Sequence, residues 1–396
     1  MICFSSRLKF STFIVAAILI FAGCSGLERN PVPVDRMPEA VVAGMPNVRS
    51  WGGRVSPHSQ ADIIQSVRDE PEGEFPRTAD GTINYSALAL SGGGANGAFG
   101  AGFLYGWTKT GHRPKFKLVT GISTGALIAP FAFLGSDYDD TLREMYTTMS
   151  TRNIFHIKLG SEAIADTSPL IEQIEKYIDE SVLADVAAAH SRGRRLYIGT
   201  THLDADRMVI WNMGAIAASR QTDAPGLFRK VVLASASIPG AFPPVLIEVE
   251  VDGIQYDEMH IDGGLKAQVF LHGAVLNIKD AAKELLGDKD VNRIGRIYVI
   301  RNGQVAPIPE AIPRKMTAII GRTLSLMTKQ AALNDLYRIF TFTQRDGLSF
   351  NFASIPDDFE MENDEPFDRE EMKRLFEVGY EIAQSDDAWR KTPPGF

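Results

Sequence analysis

The chain has 396 residues, with 41 Lys and Arg against 49 Asp and Glu, and a formal net charge of −8. Its 44% hydrophobic and 23% charged content is that of a globular protein, which excludes a disordered tail and a multi-span membrane protein. The acidic balance argues against nucleic acid as a partner. Two cysteines, Cys3 and Cys24, are too few for a disulfide scaffold or a zinc site built on several cysteines.

Residues 1–23 carry Arg7 and Lys9, no acid, and then an apolar run from Phe13 to Phe21. A charged start followed by a run too short to span a bilayer predicts a secretory signal peptide. The run ends in Phe21-Ala-Gly-Cys24-Ser25, which resembles a bacterial lipobox with Phe21 where Leu is usual. That resemblance implies a lipidated Cys24 as the new N-terminus and, with Ser25 after it, an outer-membrane lipoprotein facing the periplasm or the surface. An ordinary cleaved signal with an incidental cysteine is the alternative.

Residues 24–84 read as a tether. Pro31, Pro33, Pro38, Pro46, Pro57, Pro71 and Pro76 interrupt them, and no apolar period is sustained. Such stretches are extended and semi-rigid. One short helix is expected over Ala61 to Val67.

From Tyr85 the pattern becomes strand, glycine turn, helix. Tyr85 to Leu90 predicts a strand, Ser91-Gly-Gly-Gly-Ala-Asn-Gly97 a turn, and Phe99, Phe103 and Trp107 a helix. A second strand over Phe116 to Thr120 meets Gly121-Ile-Ser-Thr-Gly125 and a helix to Leu134. Further strands are expected at Arg195–Thr200, Met208–Trp211, Val245–Val249 and Arg296–Ile300. Helices are expected at Leu170–Ile178, Leu227–Ala236, Ala318–Phe340 and Arg369–Ala383. Repeated strand–turn–helix units predict a mostly parallel central sheet covered by helices, in one α/β domain over residues 85–385 with an extension to 396.

Three glycine-flanked sites could carry chemistry. Ser123, between Gly121 and Gly125, has the setting of a nucleophile raised on a strand-to-helix turn, although a turn serine capping a helix fits the same letters. The Gly92, Gly93 and Gly94 run can turn backbone N–H groups toward an oxyanion or a phosphate. No Walker lysine follows it. The dinucleotide spacing is met formally at Gly92, Gly94 and Gly97, but no acidic strand end stands ~20 residues on. Asp262, before Gly263 and Gly264, is by itself an ordinary turn residue.

Taken together, these blocks resemble the patatin-like phospholipase family over residues 85–270. A fourth block, Ala234-Ser-Ala-Ser-Ile-Pro-Gly-Ala-Phe-Pro-Pro244, stands in the order that family members carry. The resemblance implies a three-layer fold with helices on both faces of the sheet. It also implies a phospholipase A or lysophospholipase type of acyl hydrolase, with Ser123 as nucleophile, Asp262 as its only catalytic partner and Gly92–Gly94 as oxyanion hole. Asn96 stands where many relatives carry Arg or Lys. The expected partners are a phospholipid or lysophospholipid acyl ester and a membrane reached through Cys24, with no cofactor and no metal. An aspartate with a free pKa near 3.9 is a weak base, which throws weight onto the oxyanion hole. Two other readings stay open: a Ser-His-Asp esterase using His272, or a catalytically silent lipid-binding lipoprotein. His260, two residues before Asp262, is expected to support the site rather than to act as base.

Overall fold

The computed structural model describes residues 28–54, 56–76, 83–158, 163–271, 294–363 and 365–396. The expected signal peptide, Cys24 and His272 therefore lie outside the described residues. The first elements are Arg49–Trp51 (β1), Pro57–Arg68 (α1), Asn84–Leu90 (β2), Gly97–Lys109 (α2), Leu118–Gly121 (β3) and Thr124–Leu134 (α3). Asp139–Thr148 (α4), Thr151–Ile154 (α5), His156–Ile157 (β4), Ala165–Asp166 (β5), Ser168–Tyr177 (α6) and Glu180–Ser191 (α7) follow. Next come Arg195–His202 (β6), Arg207–Asn212 (β7), Met213–Ala217 (α8), Ala224–Ser235 (α9), Val245–Val251 (β8) and Ile254–Asp262 (β9). Ile294–Arg301 (β10), Met316–Asp346 (α10), Ser349–Ser354 (β11) and Arg369–Ala383 (α11) complete the described chain.

The main sheet runs β1-β7-β6-β3-β2-β10-β11. Its five strands from β6 to β11 are parallel, while β1 and β7 are antiparallel additions at one edge. Both faces are buried. Leu88 and Leu90 of β2 join one apolar cluster with α2, α3 and α11, whereas Ala87 and Ala89 join a second with Leu336 and Ile339 of α10. This alternation follows from the two-residue period of a strand, and apolar residues on both sides are what a covered parallel sheet requires.

One deviation from parallel order builds the site. β3 is short and pairs with β6 only from Leu118–Arg195 to Gly121–Ile198. β6 continues past it, and β9 takes the vacated side in the opposite direction, with Asp262 across from Thr200. The ends of β3 and β9 therefore point at each other along one side of β6.

The tether expectation is corrected for the described part of residues 28–76. Val32, Met37, Val42, Met45 and Val48 are all buried in the main core. Arg29 pairs with Asp204 and Asp257, Val41 bridges to Glu250, and β1 extends the sheet. Prolines here shape a fitted strap, because single apolar residues between them dock into the body. At the other end of the chain, α11 packs against α2 with almost no side chain between: a Cβ on Gly102 would fall 1.9 Å from the Phe376 carbonyl oxygen, and one on Gly379 2.2 Å from that of Phe99. Among the described residues no helix is long and apolar enough to cross a membrane.

Candidate active site

Ser123 occupies the turn between β3 and α3 at φ 54°, ψ −125°, a conformation that non-glycine residues rarely adopt. Holding it costs on the order of 1–3 kcal/mol, and such strain persists only where neighbours enforce it. They do so here by contact. A Cβ on Gly121 would meet the Gly125 carbonyl oxygen at 2.4 Å, and one on Gly125 would meet that of Leu90 at the same distance. The Ser123 N–H donates to Ser235 Oγ at 3.0 Å, and Ser235 in turn donates to the Gly199 carbonyl at 2.7 Å. Ser235 lies in the 234–244 block and anchors the turn from behind.

Asp262 ends β9 and caps the turn that follows it. One carboxylate oxygen accepts the Gly264 N–H at 2.7 Å, and the backbone N–H of Asp262 donates to the Ser237 carbonyl. Burial pushes its pKa up to about 6, against smaller opposing effects from the nearby Ser123 hydroxyl and the hydrogen bond donated by the Gly264 N–H. Desolvation disfavours the charged form of an acid, so the carboxylate is a stronger base here than in water. Ser123 and Asp262 are thus brought together. Among the described residues no histidine is hydrogen-bonded to either.

The glycine loop differs from expectation in one donor. The Gly92 N–H is committed to the Gln268 carbonyl at 3.0 Å, which removes it from an oxyanion hole. Gly93 and Gly94 have no acceptor for their N–H groups among the described residues. Gly94 sits at φ +57°, and a Cβ on Gly93 would collide with the Asn302 carbonyl oxygen at 2.1 Å. Asn302 holds the loop from the end of β10: its N–H donates to Ser91 Oγ and its Nδ2 to the Ser91 carbonyl, both at 2.8 Å. Arg301 reaches the Gly92 carbonyl at 3.3 Å, and burial pushes its pKa down to about 10. Gln268, Arg301 and Asn302 were not legible as site residues, since each is a common polar residue with no motif around it. Only Ser235 lay inside a quoted block.

His260 is committed to partners other than the nucleophile. Trp211 Nε1 donates to Thr200 Oγ1, which lies 2.9 Å from His260 Nδ1, and His260 Nε2 lies 3.2 Å from Glu258. A proton on Nε2 lets every group in this chain donate once, so the neutral Nε2–H tautomer fits. Burial pushes its pKa down to about 4, in keeping with a neutral ring. The expectation of no metal cluster needs amending, because His202, Glu258 and His260 present ligand atoms within 4.8 Å of one another. The Arg49 guanidinium already holds Glu258 on both oxygens, and its positive charge opposes a cation at that point.

A narrow apolar cleft starts beside this site and is lined by Gly94, Thr124, Leu127, Met145, Leu170 and Ile174 among others. Elbow, glycine loop and aspartate thus stand together at the carboxyl ends of the parallel strands. Over residues 88–275 the chain matches the family model described as patatin-like phospholipase. Residues 88–275 form a patatin-like phospholipase domain. The family places the protein among lipid acyl hydrolases in general. No curated protein matches the chain. Among solved structures, that titled crystal structure of VipD from Legionella pneumophila is similar at 11% identity, over 78% of this chain and 68% of that one, with a TM-score of 0.32. A likeness at that level carries no argument. The patatin-like match ends before β10, so the Asn302 support for its glycine loop comes from outside the matched residues.

Proposed function

We propose that the protein is a membrane-anchored acyl hydrolase of phospholipase A or lysophospholipase type, working through Ser123 and Asp262. The observation that carries this reading is the backbone-strained Ser123 set beside a buried carboxylate with a raised pKa. In the proposed reaction the Asp262 carboxylate takes the hydroxyl proton as Ser123 Oγ bonds to the ester carbonyl carbon. The Gly93 and Gly94 N–H groups receive the oxyanion, a preorganised interaction worth ~3–4 kcal/mol per donor in serine hydrolases. Asp262 then gives its proton to the leaving alcohol as the ester C–O bond breaks. Water, deprotonated by the same carboxylate, releases the fatty acid from the acyl-serine. The cleft beside Gly94 and Thr124 is where an acyl chain would lie. Its apolar lining favours an aliphatic chain over a polar acyl group.

Anchoring is proposed through a lipidated Cys24 in a bacterial outer membrane, supported by the lipobox resemblance of residues 21–25. An organophosphonate ester titration with mapping of the modified residue tests the enzyme: labelling at Ser123 supports it, and an unlabelled, correctly folded protein ends it. The anchor has its own measurement, the mass and membrane partition of Cys24→Ala. Unchanged values would remove the lipid.

A further inference from the structure

We infer that the amino-terminal half of α10 is a docking surface for an anionic lipid bilayer. The inference deepens the acyl-hydrolase reading, since it names the surface from which substrate would be drawn. Met316–Asp346 contains 31 residues, ~46 Å of helix at 1.5 Å per residue. β10, which it follows, has 8 residues, or ~26 Å. A helix returning antiparallel between the parallel strands β10 and β11 therefore overhangs the sheet by roughly 20 Å. The buried residues of the helix, Ala332, Asp335, Leu336, Ile339 and Thr343, all lie in its second half. The overhang is the first half.

Its direction is fixed by Asp335, which accepts the Gln268 N–H at 2.7 Å. The Gln268 carbonyl in turn accepts the Gly92 N–H. Asp335 thus marks the level of the glycine loop, and residues before it rise beyond the carboxyl edge of the sheet, on the side where Ser123 opens.

The overhang is apolar where it should be polar. Met316, Ile319, Ile320, Leu324, Leu326 and Met327 are each at least 51% exposed. At 100° per residue they form one broad stripe along the helix. Charge identifies the occupant. Residues 311–334 hold Arg314, Lys315, Arg322 and Lys329 and no acid, in a chain whose net charge is −8. Arg322 and Lys329 hold the preceding segment through Glu310, Ile308 and Ala306. Arg314 and Lys315 leave exposed positive charge at the tip, with no ion pair among the described residues. An apolar stripe with a basic end matches the boundary between headgroups and acyl chains, and anionic lipid adds attraction.

The test uses the full chain with Cys3→Ser and Cys24→Ser, one new cysteine by Leu324→Cys, and a polarity-sensitive dye on it. Glu377→Cys on α11 is the control position. Vesicles of phosphatidylglycerol with phosphatidylethanolamine should shift emission to the blue at 324 and not at 377. High salt or vesicles of phosphatidylcholine alone should weaken the shift. An unchanged spectrum on every vesicle overturns the inference. So does a blue shift that grows with protein concentration without lipid, which would mean that a second copy covers the stripe. Turnover of a soluble short-chain ester, measured on the same labelled protein, reports separately on the Ser123–Asp262 reading.

Discussion

Glu258 and Asp262 stand four residues apart on one strand, β9, and are displaced in opposite directions. Burial opposes ionisation of both. At Glu258 it is outweighed by the adjacent His202 and His260 rings and by Arg49, which hold its carboxyl well below the usual carboxylate range. At Asp262 no cation answers among the described residues, and burial pushes the pKa up to about 6. One strand therefore carries a charge that the fold stabilises and a charge that the fold resists.

The resisted charge predicts a trade between stability and activity. Stability gained from protonated Asp262 is present at low pH and is lost as pH rises from its unfolded value near 3.9 through about 6. Asp262→Asn removes that loss, since its amide oxygen still accepts from Gly264 and its Nδ2 can donate to Ser123. The variant should melt above the parent at pH 8, with the difference vanishing near pH 4, and should lose ester turnover by ~10³-fold or more. The parent's kcat/KM should fall below about pH 6 as Asp262 protonates. Thermal melts and initial rates across this range check both halves.

Arg49→Ala should behave in the contrary sense. It leaves Glu258, which is fully buried, without its cation. Breaking a buried pair in this way costs ~3–5 kcal/mol. Because the Glu258 pKa is depressed in the fold, the pair's contribution is present above the unfolded acid value and disappears as pH falls below it. Urea unfolding of parent and variant at pH 7 and at the lowest pH where both fold should show the gap narrowing.

Backbone strain at Ser123 can be separated from its chemistry. Both Ser123→Ala and Ser123→Gly lose the nucleophile and should be inactive. Only glycine adopts φ 54°, ψ −125° freely. Ser123→Gly should therefore be the more stable of the two by ~1 kcal/mol, read from denaturation midpoints. Equal midpoints would mean that the elbow stores no strain.

Gly93→Ala looks like a clean probe of the glycine loop, but the Asn302 carbonyl fills the space a methyl would need, so fold and turnover would fail together. Asn302→Ala is the better probe. It removes the Nδ2 bond to the Ser91 carbonyl and leaves the loop glycines intact. Turnover should drop ~10-fold or more through kcat, with KM little changed, because the oxyanion contact is made mainly in the transition state.

The sheet was legible wherever a strand is apolar on both faces. Tyr85–Leu90 and Arg296–Ile300 read as strands because they bury both faces, and the structure places β2 and β10 over them. β9 was not recognised as a full strand, since Asp257, Glu258 and His260 look like surface residues until Arg49, far off in the chain, is brought to them. The strap over residues 28–54 misled for a related reason. Its buried residues come singly between prolines, and no local period betrays an irregular segment that packs on a distant surface. Ser123 and Asp262 were readable because glycines must stand beside them. Gln268 and Asn302 work through carbonyls and amides that any residue type possesses, and no sequence pattern marks them.

The contact between α2 and α11 also has a meaning in time. α2 starts at the glycine loop, yet it is seated against Phe376 and Gly379 and, through Phe103 and Trp107, against Trp389. These partners come far later in the chain than the glycine loop, the serine and the aspartate. A growing chain can own the serine, the aspartate and the glycines and still lack the wall that fixes them. Docking of α11 then acts as a safety catch, leaving the glycine loop unset until the later part of the chain has folded against it.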